Sequence, residues 1–485
     1  MPGIGIPVGR QYSILPRPCH SPKSRLLVPQ GNYGIDASRA RGAILQFSHA
    51  GRSVRAAFYM WDKHLRRRPQ PITKPRGKNK NTRVQYSKVI PFNSHMRYIP
   101  RNLGTVIRQA ARHFPALVVT GPRRAGKTTL LRQLFPKAQY VLLEDPDIQG
   151  RIRSDPRTFL EELRPPVVFD EIQNAPELLS YVRTLVDAVP RRMGQWLFTG
   201  SQEAPLMQGI TESMAGRAAI LQLLPFSVAE TPKVNVLHGG FPEVLARSKS
   251  RALWFASYLQ TYLERDVRAI TNIRDLVTFR RFLALLASRH GQILNKTDLA
   301  APLGVSVPTI SEWLHILEMT GQVIIVPPYF ENLGKRLIKS PKVFWGDSGL
   351  ACYLLGITSE QELRRSPFWG QLFEGFVAAE ILKSQANQGA RKELYYFRDQ
   401  QGLEVDFLIP RPNAGLWLIE CKAGKTVRSA MAAPLLSLRR ALGKRSKRLI
   451  IVHRKSHSAP ATAAIASGVE AIDLERFVAD LTHDH

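Results

Sequence analysis

From Met96 onward, short apolar runs alternate with amphipathic stretches. Leu117–Thr120 is apolar and β-branched and reads as a strand. A glycine-rich break follows, and the run LLRQLF then carries apolar residues at helical spacing until Pro136 stops it. Further strands are predicted at QYVLLEDPD, at Val167–Phe169 and within GQWLFTGSQ. Strand and helix in alternation is the pattern of a parallel sheet covered by helices, so residues 96–232 are predicted to form an α/β domain.

The next stretch, 233–275, includes the amphipathic run WFASYLQTYLERDVRAI and predicts a helical lid or linker. Glu264, Arg265 and Asp266 read as an interdomain ion-pair cluster, with contact of Arg265 or Arg268 to nucleotide as the alternative. Over 276–345 the period changes. A first helix carries Phe282, Leu283, Leu285 and Leu286; Asn295 caps a short second helix that Gly304 ends; Ser306 starts a third that Gly321 closes. Val323–Val326 and Lys342–Trp345 then flank a basic loop with Lys335, Arg336 and Lys339. Helix-turn-helix plus a two-stranded wing predicts a winged helix whose third helix faces the major groove. That helix carries Glu312 and Glu318 and few cations, so DNA contact is expected mostly through the wing and the phosphates. From 346 to 485 an amphipathic helix (SPFWGQLFEGFVAAEILK) precedes strands at Tyr395–Arg398, Glu404–Ile409 and Leu416–Lys422, a second α/β unit.

The break after the first strand changes the picture from fold to chemistry. Gly121-Pro122-Arg123-Arg124-Ala125-Gly126-Lys127-Thr128-Thr129 fits G-x-x-x-x-G-K-[ST] between a strand and a helix, the context in which that motif cradles phosphate. The glycines let successive N–H groups turn inward, and the helix N-terminus adds partial positive charge. Lys127 is expected to reach the outer phosphates of ATP and Thr128 to offer its hydroxyl to Mg²⁺. Val167–Phe169 delivers Asp170 and Glu171 at a strand end, with Asp170 expected to hold Mg²⁺ and Glu171 to polarise the attacking water. Thr199, Ser201 and Gln202 end the next strand, either as sensors of the γ-phosphate or as ordinary turn residues. Arg217 is the candidate to reach a phosphate, in its own chain or across the interface of a homo-oligomer; a solvent-facing arginine is the alternative.

Near the C-terminal end, residues two apart on a strand share a face. Glu420 and Lys422 therefore point together, and Asp406 comes alongside from the preceding strand. Two carboxylates and a lysine on neighbouring strands predict a Mg²⁺ site with a basic group for a water nucleophile, the set a phosphodiesterase needs.

Composition sets the partners. Among 485 residues, 69 Lys and Arg oppose 38 Asp and Glu, a formal net charge of +31, which points to polyanions: nucleic acid first and acidic membrane surface second. Of the nucleic acids, DNA is the expected partner ahead of RNA. Residues 1–95 hold 18 of the cations and 2 of the acids, are rich in proline and lack sustained periodicity, so they are predicted to be a disordered basic tail. A nucleic-acid-binding arm, a transit peptide and a mis-assigned start upstream of a true Met96 are the alternatives, with the last favoured. Cys19, Cys352 and Cys421 are scattered, which indicates neither a disulfide framework nor a zinc site. No apolar run approaches the ~20 residues of a membrane span, and no secretory signal core opens the chain, so the cytoplasm is the expected location without membrane attachment.

The segments VVTGPRRAGKTTLL, VVFDEIQNAPELL, LFTGSQ, SMAGRA, LPFSVAE, GFPEV, YLQTYLERDV and GLACYLLG together resemble the bacterial and archaeal AAA-type ATPases that carry a C-terminal domain of unknown function. The resemblance spans Met96 to about Gly424 and implies an AAA-like ATP-binding domain with Lys127, Thr128, Asp170 and Glu171 in the standard roles. Asp406, Glu420 and Lys422 in turn resemble the motif of the PD-(D/E)XK nuclease superfamily, which implies Glu374 of the preceding helix as a further carboxylate and fourth member. The expected function is an ATP-hydrolysing AAA-type protein acting on nucleic acid. The alternative is a slow nucleotide-gated switch that contacts a protein partner, its nuclease-like domain inactive.

Overall fold

A computed structural model describes residues 98–200, 212–263, 275–329, 339–411, 415–454 and 462–483. The predicted tail 1–95, Ser201, Gln202, Glu264, Arg265, Asp266, Arg268, Lys335 and Arg336 lie outside the described residues.

The first region comprises α1 (Leu103–His113), β1 (Ala116–Thr120), α2 (Lys127–Leu134), β2 (Gln139–Leu142), β3 (Val167–Asp170), α3 (Leu178–Ala188), β4 (Trp196–Thr199) and β5 (Ala218–Gln222). Its sheet has the order β2-β3-β4-β1-β5 and every pairing is parallel. Strands β1, β3 and β4 are buried along their whole length, which is why they read as unbroken apolar runs rather than alternating ones. Leu103 and Ile107 of α1 and Leu130 and Leu131 of α2 cover one face, packed on Leu117, Val119 and Leu197. Leu178, Leu179, Val182 and Val186, one stripe of α3, cover the other with Val118, Phe169 and Phe198.

The second region holds α4 (Arg251–Tyr258), α5 (Leu276–Ser288), β6 (Gln292–Ile293), α6 (Lys296–Ala300), α7 (Val307–Met319), β7 (Val323–Val326) and β8 (Lys342–Trp345). Asn295 caps α6 by accepting from Thr297 N–H at 3.1 Å, and Ser306 caps α7 by accepting from Thr309 N–H at 3.2 Å. The three strands form an antiparallel sheet in the order β6-β8-β7.

The third region comprises α8 (Ser348–Leu354), α9 (Trp369–Asn387), β9 (Tyr395–Arg398), β10 (Glu404–Arg411), β11 (Gly415–Lys422), α10 (Ala433–Leu442), β12 (Ser446–His453), β13 (Thr462–Ala466), β14 (Val469–Asp473) and α11 (Leu474–His483). Six strands run in the order β13-β14-β12-β11-β10-β9, antiparallel through β9–β10–β11 and parallel from β11 through β12 to β14. Leu435, Leu438 and Leu442 of α10 cover one face of the sheet and α9 the other. α9 is buried almost continuously from Leu372 to Ala386, as a helix walled on all sides must be. It carries the buried pair Glu380–Lys383 (2.9 Å), which grips the chain leaving β5: Val228 N–H donates to Glu380 Oε2 at 2.8 Å, and Lys383 Nζ to Phe226 O at 2.9 Å. Phe226, Phe279, Trp313, Phe344, Phe376 and Trp417 belong to one continuous core. Among the described residues no helix is long and apolar enough to cross a membrane.

Candidate functional site

The loop between β1 and α2 is shaped by glycines at positive φ. Gly121 has φ 138°, and a Cβ there would stand 2.1 Å from Leu223 O just past β5, so only glycine fits. Gly126 (φ 99°) precedes α2 without a side-chain cap, and Arg124 adopts φ 63°. The first N–H groups of α2 are therefore left for the loop's concavity, the arrangement that receives phosphate. Lys127 is buried, and its Nζ donates to Gly121 O (3.0 Å) and Pro122 O (3.1 Å), folded back over its own loop.

Three hydroxyls converge on Asp170. Thr128 Oγ1 donates to Oδ1 at 2.7 Å, Thr199 Oγ1 donates to the same oxygen, and Tyr140 O–H donates to Oδ2 at 2.5 Å. Burial first, and then the Asp170 carboxylate, raise the Tyr140 phenol far above its ordinary value, so it remains a donor. Thr199 Oγ1 also accepts Glu171 N–H at 3.1 Å. It can do both because β4 lies between β1 and β3. Glu171, at φ 60°, accepts from Gln173 Nε2 at 2.5 Å, and its Oε2 lies 3.9 Å from Arg123 Nη1. A hydroxyl and a carboxylate meeting at the mouth of an uncapped helix are hard oxygen donors, and they fit a magnesium nucleotide.

Arg217 is elsewhere. It precedes β5, its backbone O accepts from Ala116 N–H at the start of β1, and its guanidinium is paired with Asp187 at 2.6 and 3.0 Å. The loop follows Thr120 at the other end of β1, a strand length of roughly 16 Å away. The geometry thus leaves Arg217 no reach to the phosphates of its own chain.

Sequence reasoning missed several loop partners. Arg101 Nη1 donates to Ala125 O at 2.9 Å, its Nη2 to Leu224 O at 2.6 Å, and its Nε to Glu230 at 2.9 Å, tying the loop to the chain beyond β5. Arg124 faces Glu243 of the GGFPEV segment at 3.6 Å. Tyr140 belongs to no motif; its signal was only a tyrosine on a strand next to the one carrying Asp170.

In the third region the register Phe407↔Ile419 places Asp406 opposite Glu420, side by side on one face as expected. Cys421 N–H donates to Asp406 Oδ2 at 2.8 Å, and Lys422 Nζ donates to Glu420 Oε1 at 2.6 Å. Glu374 of α9 joins them, as does Glu404, two residues before Asp406. Lys342 of β8, which sequence reasoning took only as the start of a strand, stands in the middle: its Nζ is 2.9 Å from Glu374 and 2.5 Å from Glu404. Burial, then the charge of Asp406, push Glu374 up to about 8 and Glu420 up to about 7; Asp406 is raised too, by burial. Burial alone would lower the Lys342 ammonium, but Glu374, Asp406 and Glu404 outweigh it and keep it charged. Among the described residues no group of three or more His, Cys, Asp or Glu side chains is drawn together as a metal site; the Lys342 ammonium stands among these carboxylates instead. Lys339, in the predicted wing, is exposed.

Comparison with known proteins decides the family. Over 378 residues, 76% of this chain and 82% of the other, the sequence is 32% identical to the uncharacterized protein Rv2008c of Mycobacterium tuberculosis, with the same figures for Mb2031c of Mycobacterium bovis. The chain belongs to their family. Residues 113–231 match an AAA domain, residues 233–361 a domain of unknown function (DUF8612), and residues 369–476 a second one (DUF4143). The α/β region with its parallel sheet is thus a P-loop AAA-type ATPase domain. Among solved structures, the Walker-type ATPase of Pyrococcus abyssi is 17% identical with a TM-score of 0.35 over 52% of this chain and 94% of that one. A STAND-family signal-transduction ATPase of Pyrococcus horikoshii is 13% identical with a TM-score of 0.20 over 60% and 47%.

Proposed function

We propose that this protein binds Mg²⁺–ATP, hydrolyses it, and couples hydrolysis to nucleic acid, DNA first, in the cytoplasm. The observation that carries the hydrolysis is the convergence of Thr128, Asp170, Thr199 and Glu171 beneath an uncapped helix N-terminus. The free N–H groups of the loop between Gly121 and Thr129, where Pro122 has none, receive the phosphates, and Lys127 leaves the Gly121 and Pro122 carbonyls for the outer ones. Thr128 and Asp170 would hold Mg²⁺, which supplies Lewis-acid neutralisation of phosphate charge when bound. Glu171 orients and deprotonates the attacking water once it parts from Gln173 and Arg123, while Thr199 holds its backbone.

The nucleic-acid part has separate support. The order helix, strand, two helices and hairpin over 276–345, with its β6-β8-β7 sheet, supports a winged helix. The order α9, β9, β10, β11, α10, β12, with carboxylates on β10 and β11, supports a nuclease-like domain. The net charge of +31 supports a polyanionic partner. A homo-oligomer is part of the proposal in so far as Arg217 serves a phosphate, which it would do across a subunit interface; its surface pairing with Asp187 fits the solvent-facing alternative.

The second reading is a nucleotide-gated switch that contacts a protein partner. The specific observation in its favour is Lys342 amid the carboxylates of a domain that would otherwise cleave. ATP turnover measured with and without DNA or RNA, on protein begun at Met96, separates the two. Stimulation of several-fold by DNA supports the first, and turnover indifferent to both polymers supports the switch.

A further inference from the structure

Lys342 reaches the C-terminal carboxylates from outside their own sheet. It opens β8, a strand of the β6-β8-β7 sheet, yet its Nζ lies 2.9 Å from Glu374 Oε1 on α9, and 2.5 Å from Glu404 Oε1 and 3.9 Å from Asp406 Oδ1 on β10. Its side chain is 3% exposed. Glu420, opposite Asp406, is 7% exposed, and its Oε2 is buried with no hydrogen-bond partner among the described residues. Carboxylates gathered this densely ordinarily surround a divalent cation, which brings two charges to several oxygens. Here the Lys342 ammonium fills the centre, Lys422 Nζ covers Glu420 Oε1 at 2.6 Å and Arg398 reaches Glu404 Oε2 at 3.1 Å from the rim, and one buried carboxylate oxygen is left over.

The hairpin that delivers Lys342 also touches the nucleotide loop. Gly321, just before β7, packs on Pro122 so closely that a Cβ there would lie 3.0 Å from Pro122 Cγ. Gly346 N–H donates to Gln322 O at 2.7 Å, closing that end of the hairpin, while Val326 pairs with Lys342 at the other. One short antiparallel ribbon thus spans from the phosphate loop to the acidic cluster.

We propose that Lys342 is a tethered cation that keeps the Glu374–Glu404–Asp406–Glu420 cluster closed to divalent metal. This rests on the nuclease-like reading of the C-terminal domain. Removing the lysine removes the competing charge, so the metal should enter without nucleotide.

The test is Mn²⁺ titration of the nucleotide-free full chain, with free Mn²⁺ read by its paramagnetic resonance signal. Wild type is compared with Lys342→Gln and with Lys342→Gln/Glu374→Gln; the double variant loses one charge of each sign and leaves the cluster no more negative than before. Both variants should gain a Mn²⁺ site at least about tenfold tighter than any in wild type, because a buried carboxylate stripped of its partner demands another cation. Adding Asp406→Asn and Glu420→Gln should abolish that site. Melting curves in EDTA and in Mn²⁺ give a second readout, since only the Lys342 variants should be stabilised by the metal. If neither Lys342 variant binds Mn²⁺ more tightly than wild type or is stabilised by it, the lock is overturned, however well the variants fold. Wild type that already binds Mn²⁺ through Asp406 and Glu420 overturns it too. Failure of the nuclease-like reading is distinct: Lys342→Gln would take up Mn²⁺ yet nick no plasmid.

Discussion

Thr128 and Asp170 meet at 2.7 Å although 42 positions separate them in the chain. The contact spans the width of β4, because the strand leading into the phosphate loop and the strand carrying the acids are not neighbours. Thr199 fills the gap and touches both Asp170 and the backbone of Glu171. The two acidic residues are therefore positioned by the strand between, not by their own strand alone.

Lys127→Ala should abolish tight ATP binding, since the loop then lacks its one inward ammonium. Glu171→Gln should bind ATP with near-normal affinity and lose turnover by about 10²–10⁴, the usual worth of a positioned base. Equilibrium binding of a fluorescent ATP analogue and a phosphate-release assay separate the two. Wild-type turnover in Glu171→Gln would show that the base has been misassigned.

Tyr140→Phe tests the hydroxyl cluster. The phenol donates to Asp170 Oδ2, on the carboxylate that would hold Mg²⁺. The variant should lose about 1.5–3 kcal/mol of stability without nucleotide, the worth of a hydrogen bond to a charged group. Its affinity for Mg²⁺–ATP should be undiminished or higher. A variant that binds Mg²⁺–ATP tenfold more weakly would mean that Tyr140 supports the bound state instead.

His290 predicts an acid sensitivity. Its ring is buried, its Nδ1 accepts Trp345 N–H at 3.0 Å, and burial pushes its pKa down to about 3. The unfolded chain, with a histidine near 6.5, takes up the proton first, so this contribution is whole above about pH 6.5 and drains away as pH falls toward 3. At pH 5 the loss from this group is about 2 kcal/mol. Glu374 and Glu420, raised to about 8 and about 7, act in the opposite sense, gaining stability as pH falls below those values. The difference between wild type and His290→Gln in urea melts at pH 7.5 and pH 5 isolates the histidine; an unchanged difference would count against it.

Deleting residues 1–95 should leave the melting temperature and ATP turnover unchanged, because that stretch has no apolar periodicity with which to bury surface. DNA binding in low salt should weaken, and its salt dependence should become shallower, since 18 of the 69 Lys and Arg are removed. A large drop in melting temperature would contradict the prediction.

What could be read from the chain follows from how local each signal is. The phosphate loop and Asp170–Glu171 were legible because glycine spacing and an apolar strand ending in acids are contiguous patterns. The caps Asn295 and Ser306 were legible for the same reason, and so was the pairing of Asp406 with Glu420, which a hairpin dictates. Arg101, Tyr140 and Lys342 were not. Each acts through partners between 24 and 129 positions away, or from another sheet, and a lone charged or phenolic residue, in a strand or just ahead of a helix, carries no period that would mark it. β5 and the strands β12–β14 were also passed over: β5 is only half-covered, and the last three follow the point where the recognisable motifs stop.

The grip of Glu380 and Lys383 on Phe226 and Val228 has a consequence for ancestry. A recombination that gave this ATPase a new effector would lose least just after β5, where the ties of Arg101 to Leu224 and Glu230 are cut, because every later junction would split the core that runs from Phe226 to Leu481. The segments past that point should therefore be inherited together, and a gene carrying one of them without the other would need to rebuild a buried surface from nothing.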